Sequence, residues 1–279
     1  MESKMTRMLA VVDPTRSEQW ALQKAVLMAK AVPGAEVLAV LATRSNADCE
    51  DPEALMAVEL ERNRLWLDGI VAGFAESGVA IESSIFWHDD WRAAITEFAE
   101  DQEVDLVIKR ASGRPNSLAS SDRHLIRSLD CALLLVKQAP AADFSKVLLA
   151  VNWNANDEDH VALNNAIVEL GHRLRGEGGT LELHAVSAYP ESDKFVHPPD
   201  LAKKLDIGRH QAHVQRGKAV DIIPATANRI GADLVIVGSV GRRGIAGLTV
   251  GNTSEKILTD IHADVLVIIQ EEGRMRTAA

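Results

Sequence analysis

Short, nearly continuous apolar runs alternate along this chain with longer stretches in which apolar residues recur every three or four positions. In the first half the runs are Met8–Val12, Ala35–Leu41, Val79–Trp87, Leu106–Lys109 and Ala132–Lys137. Their Val, Leu and Ile content predicts strands covered on both faces. Helices are predicted over Ser17–Ala31, Pro52–Ser77, Asp90–Asp101 and Asp122–Leu129. Leu67, Ile70, Val71 and Phe74 share one helical face, and Gly78 ends that run. The second half repeats the alternation, with strands at Val147–Val151, Thr180–Ala188, His213–Arg216, Leu234–Val237 and Val265–Ile269. Its helices fall at Asp157–Arg175, Asp200–Arg209, Val220–Ile230 and Thr253–Asp260, with Pro224 early enough in the third for its missing N–H to cost little. Strands alternating with helices predict parallel sheets with helices on both faces and right-handed crossovers.

The two halves are copies of one pattern. Arg7-Met-Leu-Ala-Val-Val-Asp13 matches Lys146-Val-Leu-Leu-Ala-Val-Asn152, and Ile95–Ile108 aligns without a gap to Ile223–Ile236. That block shares Asp105-Leu-Val-Ile108 with Asp233-Leu-Val-Ile236, and Cys131–Gln138 parallels Ala263–Gln270. The spacing between matched blocks changes only where loops are predicted, as a duplicated fold requires. Two domains are therefore expected, at residues 1–138 and 145–271, joined through the Pro/Ala-rich Gln138-Ala-Pro-Ala-Ala-Asp143. Each is an α/β, Rossmann-like domain with a five-stranded parallel sheet.

Composition narrows the function classes. The 279 residues are 47% hydrophobic and 25% charged, with no low-complexity tract, as in a folded soluble protein. No apolar run approaches the roughly 18 residues of a membrane span, and the N-terminus lacks a secretory pattern, so a cytoplasmic protein without a membrane partner is expected. A formal charge of −10 disfavours direct nucleic-acid contact, although a small anion remains compatible with it. Cys49 and Cys131 are far apart and without CxxC spacing, and Cys131 reads as a buried small hydrophobe.

The segment with chemical character is Gly238-Ser-Val-Gly241-Arg-Arg-Gly244-Ile-Ala-Gly247-Leu-Thr-Val-Gly251-Asn-Thr-Ser-Glu255. Gly238, Gly241 and Gly251 would let backbone N–H groups approach a ligand, and Asn252 or Thr253 would open the last helix. A helix N-terminus fed by such a loop suits phosphate, and Arg242 and Arg243 could add charge-assisted hydrogen bonds. The plainer alternative is that Gly238 ends a strand, Gly251 precedes a helix and Asn252 or Thr253 is an ordinary N-cap. Its position beyond the carboxyl end of a strand in an open parallel sheet, where ligands usually bind, keeps both readings open.

With its duplication, Ala150-Val-Asn152, His213-Val-Gln-Arg-Gly217, Gly251-Asn-Thr-Ser-Glu255, Phe86-Trp-His88 and Asp122-Arg-His-Leu125, the chain resembles the universal stress protein family in its tandem form. The family's ATP-binding members carry Gly-x2-Gly-x9-Gly-Ser/Thr, whose glycine spacing Gly238, Gly241 and Gly251 reproduce. The resemblance implies five parallel strands per copy and pairing of the two copies, with a homodimer as a further candidate. It also implies a site for ATP or a related adenine nucleotide, with Mg²⁺ as a candidate companion. Asn152 would face the ribose, and the backbone at Val186 would receive adenine. Asn152 replaces the Asp usual in binders, and Asn252 replaces their Ser/Thr. Asn retains hydrogen-bonding capacity, and Thr253 follows directly.

The first copy departs further. Asp105 precedes Cys131 by 26 positions whereas Asp233 precedes Ala263 by 30, and Arg110 stands at the Gly238 position. Its loop is thus shorter, its entry carries a long side chain, and Pro115 stiffens the remainder, so no tight ATP site is expected there. The alternative is that Lys109, Arg110 and Arg114 bind another anion. Asp13 reads as a turn cap or as a ribose ligand.

No GxxxxGK[ST], early GxGxxG or GxSxG is present. His210 and His213 lack an acidic partner pattern, Asp89 and Asp90 read as a helix cap, and His88 beside Trp87 as structural. Neither catalytic nor metal-binding residues are assigned. The expected function is a non-enzymatic stress-response protein with a nucleotide site in the second copy. The alternatives are an interaction or small-ligand scaffold whose nucleotide site has decayed, and a slow ATPase.

Overall fold

The computed structural model describes residues 6–44, 50–112, 118–141, 144–176, 179–189, 195–241 and 257–271. By compactness the chain divides into an N-terminal unit, Lys4–Arg110 with Pro140–Ala142, and a C-terminal unit built mainly on Ala111–Ala139 and Asp143–Ala279.

The N-terminal unit contains β1 (Arg7–Val11), α1 (Trp20–Ala31), β2 (Glu36–Thr43), α2 (Pro52–Ala72), β3 (Ala80–Trp87), α3 (Trp91–Asp101) and β4 (Leu106–Arg110). Its strands run parallel in the order β3-β2-β1-β4. Met8, Leu9, Val37, Val40, Leu106 and Ile108 have no exposed surface, as expected for strands covered on both faces. Asp51 and Asp90 accept backbone N–H bonds from Ala54 and Arg92, fixing where α2 and α3 begin. α2 is shorter than its pattern predicted. It stops at Ala72, a separate 3-10 turn covers Ala75–Ser77, and Gly78 then takes φ 74°. Only glycine enters that left-handed conformation without strain.

The C-terminal unit contains α4 (Ser120–Ser128), β5 (Ala132–Val136), β6 (Lys146–Ala150), α5 (Glu158–Arg175), β7 (Glu182–Tyr189), α6 (Pro198–Lys204), β8 (Ala212–Arg216), α7 (Ala219–Ile230), β9 (Leu234–Gly241) and β10 (Asp264–Glu271), with a helical turn at 257–260. Its strand order is β5-β10-β9-β6-β7-β8. All pairings in that unit are parallel except β5–β10, where Leu133, Leu134 and Leu135 face Val267, Leu266 and Val265 in antiparallel register. The fifth strand of the first repeat thus lies in the second compact unit. Both partners are apolar and buried, and β5 covers the edge of β10 that would otherwise stay unpaired. The carboxylate of Asp264 accepts the backbone N–H groups of Lys137 and Gln138 at 2.8 and 3.2 Å. Lys137 Nζ donates to the carbonyls of Leu258 and Ile261, the latter at 2.7 Å.

β9 differs from the expectation in a way that bears on the site. Its predicted end was Val237, yet it continues through Gly238, Ser239 and Val240 to Gly241, paired in register with Ile268–Glu271 of β10. Gly238 and Gly241 are therefore strand residues, because an equally long neighbour offers a ladder that local sequence does not reveal.

Candidate ligand site

In the C-terminal unit, the carboxyl ends of β6, β7 and β9 surround a cavity of about 470 Å³. Its walls include Val151 and Asn152 after β6, Val186 and Ala188 of β7, and Val237, Gly238 and Ser239 of β9. Ile126, Ile257 and Leu258 supply further aliphatic surface, while Gly217, Lys218, Val220 and Ile223 form the wall where β8 passes into α7. The size lies within the roughly 300–1,000 Å³ typical of small-molecule sites, and the lining is mostly apolar with few polar groups, as such sites tend to be. Location at strand carboxyl ends follows from the fold, because crossover loops open there.

Three residues singled out by sequence meet at this cavity: Asn152, Val186 and Gly238. Asn152 is exposed, with its backbone held by the side-chain amide of Asn164 on α5. Val186 is buried, and its carbonyl accepts the Val151 N–H at 3.0 Å, so that oxygen is already engaged in joining the ends of β6 and β7. Gly238 packs against α5. A β-carbon built there would lie 2.4 Å from Leu163 Cδ2, so close helix–strand approach accounts for this glycine without a ligand. Arg242, Gly251, Asn252 and Thr253 lie outside the described residues, and Gly241 is described only as the last residue of β9. Sequence reasoning assigned no site role to Lys218 or Ile223 and took Ser239 for a loop residue, whereas it is buried in β9. Lys218 at the start of α7 was legible as a cation before a helix, but nothing local tied that turn to Asn152.

The corresponding positions of the N-terminal unit are occupied differently. Arg110 ends β4, and its guanidinium carbon lies 3.5 Å from the centroid of the Trp20 ring on α1. Lys109 is buried, and its Nζ donates to the Arg110 carbonyl at 2.9 Å and lies 5.9 Å from the Trp91 ring centroid. Asp13 Oδ1 accepts from Thr15 N at 2.9 Å and from Thr15 Oγ1 at 2.6 Å, which is the turn-capping role. His88 Nδ1 accepts the Asp90 N–H at 2.9 Å, and Cys131 is a buried thiol outside any disulfide. Among the described residues no group of three or more His, Cys, Asp or Glu could hold a metal, and no helix is long and apolar enough to cross a membrane.

A tandem, largely parallel α/β protein with a ligand-sized cavity at the strand carboxyl ends of its second repeat is the class these features define. The model of the universal stress protein family matches residues 4–137 and 144–268, and the chain belongs to that family. It is of the tandem type represented by Universal stress protein E. It is 28% identical to that protein of Escherichia coli strain K12 over 294 aligned positions, covering 94% of this chain and 93% of the relative. It is 25% identical to the Universal stress protein E homolog of Haemophilus influenzae, over 95% of this chain and 97% of that one. Among solved structures, a functionally unknown protein of Pseudomonas aeruginosa PAO1 superposes with a TM-score of 0.78 at 24% identity, covering 95% and 92% of the two chains. A universal stress protein of Archaeoglobus fulgidus gives 0.76 at 16% identity, covering 97% and 98%. These two likenesses support the fold alone. Membership of the family assigns the chain a stress-response role.

Proposed function

We propose that the segment 145–271 holds an adenine nucleotide in the cavity beside Asn152, and that the protein acts in the stress response by binding rather than by catalysis. The observation that carries this reading is the convergence of Asn152, Val186 and Gly238 on one cavity of about 470 Å³. Val186, Val220 and Ile223 offer aliphatic surface to a planar base. The Asn152 amide is suited to a ribose hydroxyl, and Lys218 brings a cation to the same cavity for a phosphate.

Isothermal titration of the full chain with ATP and with AMP tests this reading. One equivalent per chain is expected, because Arg110 occupies the corresponding entry in the first repeat. Gly241→Asp should abolish the heat by placing a carboxylate among the phosphates. Absence of binding at millimolar nucleotide removes the reading. Hydrolysis assays with and without Mg²⁺ test the slow-ATPase alternative, for which phosphate release above the buffer rate is required.

The aliphatic character of Ile126, Val151, Val237, Ile257 and Leu258 favours a second reading, a small apolar ligand in a scaffold without nucleotide. Native mass spectrometry of the purified chain separates the two by the mass of whatever is retained.

A further inference from the structure

Away from the nucleotide-facing groups, four side chains form a continuous hydrogen-bonded relay across β7, β8 and α7. Arg229 Nη2 lies 3.3 Å from His213 Nδ1. His213 Nε2 lies 3.1 Å from His184 Nδ1, and His184 Nε2 lies 3.3 Å from Glu182 Oε2. The two imidazole rings are nearly parallel, 5° apart with centroids 5.3 Å apart. Lys146 Nζ closes the far end, 3.4 Å from Glu182 Oε2.

This geometry dictates where the protons sit. A guanidinium has only donors, so His213 Nδ1 must accept from Arg229. The His213 proton is then on Nε2 and is donated to His184 Nδ1. His184 in turn carries its proton on Nε2 and donates it to the Glu182 carboxylate. Both rings are neutral, and every ring nitrogen has one complementary partner. On the two rings an added proton has only two places to go. On His213 Nδ1 it meets the Arg229 N–H head-on; on His184 Nδ1 it meets the His213 N–H. Either breaks the relay.

Position gives the break a consequence. β8 is the edge strand of its unit, attached on one side to β7 through Ala212–Arg216. It leads directly into Gly217 and Lys218 and then α7, the residues that wall the cavity. We propose that Arg229, His213, His184 and Glu182 form an acid-sensitive latch that holds β8 and α7, and so one wall of the cavity, in place at neutral pH and releases them in acid. The latch does not depend on which ligand the cavity takes.

Burial and the surrounding positive charges act in the same direction. Burial, then Arg229, His184 and His210, push His213 down to about 4, and burial is also the largest cause lowering His184, against the opposing pull of Glu182. Lys146 of β6 and His210 of the preceding 3-10 turn add positive potential at His184. On α6, Lys204 Nζ lies 4.7 Å from the Trp153 ring centroid and Asp200 Oδ2 lies 3.8 Å from His197 Nδ1. The unfolded chain therefore takes up a proton near pH 6.5 that the folded chain refuses until about pH 4. Stability supplied by the latch is complete above that window and declines as pH falls through it, by up to about tenfold in the unfolding equilibrium per pH unit for one proton.

Hydrogen exchange of the full chain at pH 7 and pH 5, corrected for intrinsic exchange, tests the latch. Peptides within 212–230 should lose protection about tenfold or more while β1 and β4 keep theirs. His213→Gln, which can still accept from Arg229 and donate to His184 without titrating, should retain most of that protection in acid. Nitrogen-15 spectra of the wild-type histidines provide a second readout should the variant fold poorly, and both rings should be neutral Nε2–H tautomers at pH 6.5. A charged ring or an Nδ1–H tautomer at that pH, or equal protection of 212–230 at pH 7 and 5, would overturn the proposal.

Discussion

The side-chain amide of Asn164 closes on the backbone of Asn152 from both sides, accepting its N–H at 2.9 Å and donating to its carbonyl at 2.7 Å. The first repeat contains the same device built from another residue. Gln19 Oε1 accepts the Asp13 N–H at 3.0 Å, and Gln19 Nε2 donates to the Asp13 carbonyl at 2.8 Å. In both copies an amide side chain fixes the second residue after the first strand, where the chain leaves the sheet and backbone groups lose their ladder partners.

Asn164→Ala should therefore destabilise the protein by about 1–2 kcal/mol, since two backbone groups lose their partner at a site partly open to water. Urea denaturation checks this, and a midpoint equal to wild type would mean that water replaces the amide without cost. Asn164→Asp should recover only part of the loss, because a carboxylate accepts but cannot donate.

Gly238→Ala should destabilise by about 1–3 kcal/mol, as overpacking of a well-filled contact does. The clash is with Leu163, so combining it with Leu163→Ala should cost less than the two single changes summed, by about 1 kcal/mol or more. Additive costs in that double-mutant cycle would show that Leu163 is not what excludes a side chain at 238.

Lys137 makes stability depend on pH in the alkaline range. Burial lowers it to about 8 from an ordinary 10.5, against the opposing attraction of Asp122, Asp264 and Asp260. Between those values the unfolded chain holds a proton that the folded chain has released, so stability should rise as pH rises from about 8 toward 10.5. Urea midpoints measured across that range should climb for wild type, and the climb should be smaller in Lys137→Met.

The Arg110–Trp20 stack contributes modestly, since both side chains are half-buried. Arg110→Ala should cost about 0.5–1 kcal/mol and change the environment of one indole. The fluorescence difference between wild type and Arg110→Ala should vanish when the comparison is repeated in a Trp20→Phe background. Persistence of that difference would place the effect on another tryptophan.

The repeated Asp-Leu-Val-Ile illustrates how much of the molecule was legible beforehand. Its recurrence exposed the duplication, but the purpose of the aspartates emerges only in the fold. Asp105 accepts the Thr6 and Arg7 N–H groups at 2.9 and 3.0 Å, and Asp233 accepts those of Ser145 and Lys146 at 2.8 and 2.9 Å. Each clamps the start of its repeat's first strand from far along the chain, 98–99 residues away in the first repeat and 87–88 in the second.

Most strand and helix identities, the two copies and the helix starts at Asp51, Asp90 and Asp157 were present in local pattern, because burial period and capping act over a few residues. The helix expected at Asp200–Arg209 is instead Pro198–Lys204 with a separate 3-10 turn at Arg209–Gln211. Three features were decided by the tertiary structure: β5 in antiparallel register with β10, β9 extended through its glycines, and two histidines joined between Arg229 and Glu182. Each depends on a partner distant in sequence, and hydrogen-bond geometry between distant segments leaves no periodic trace along the chain.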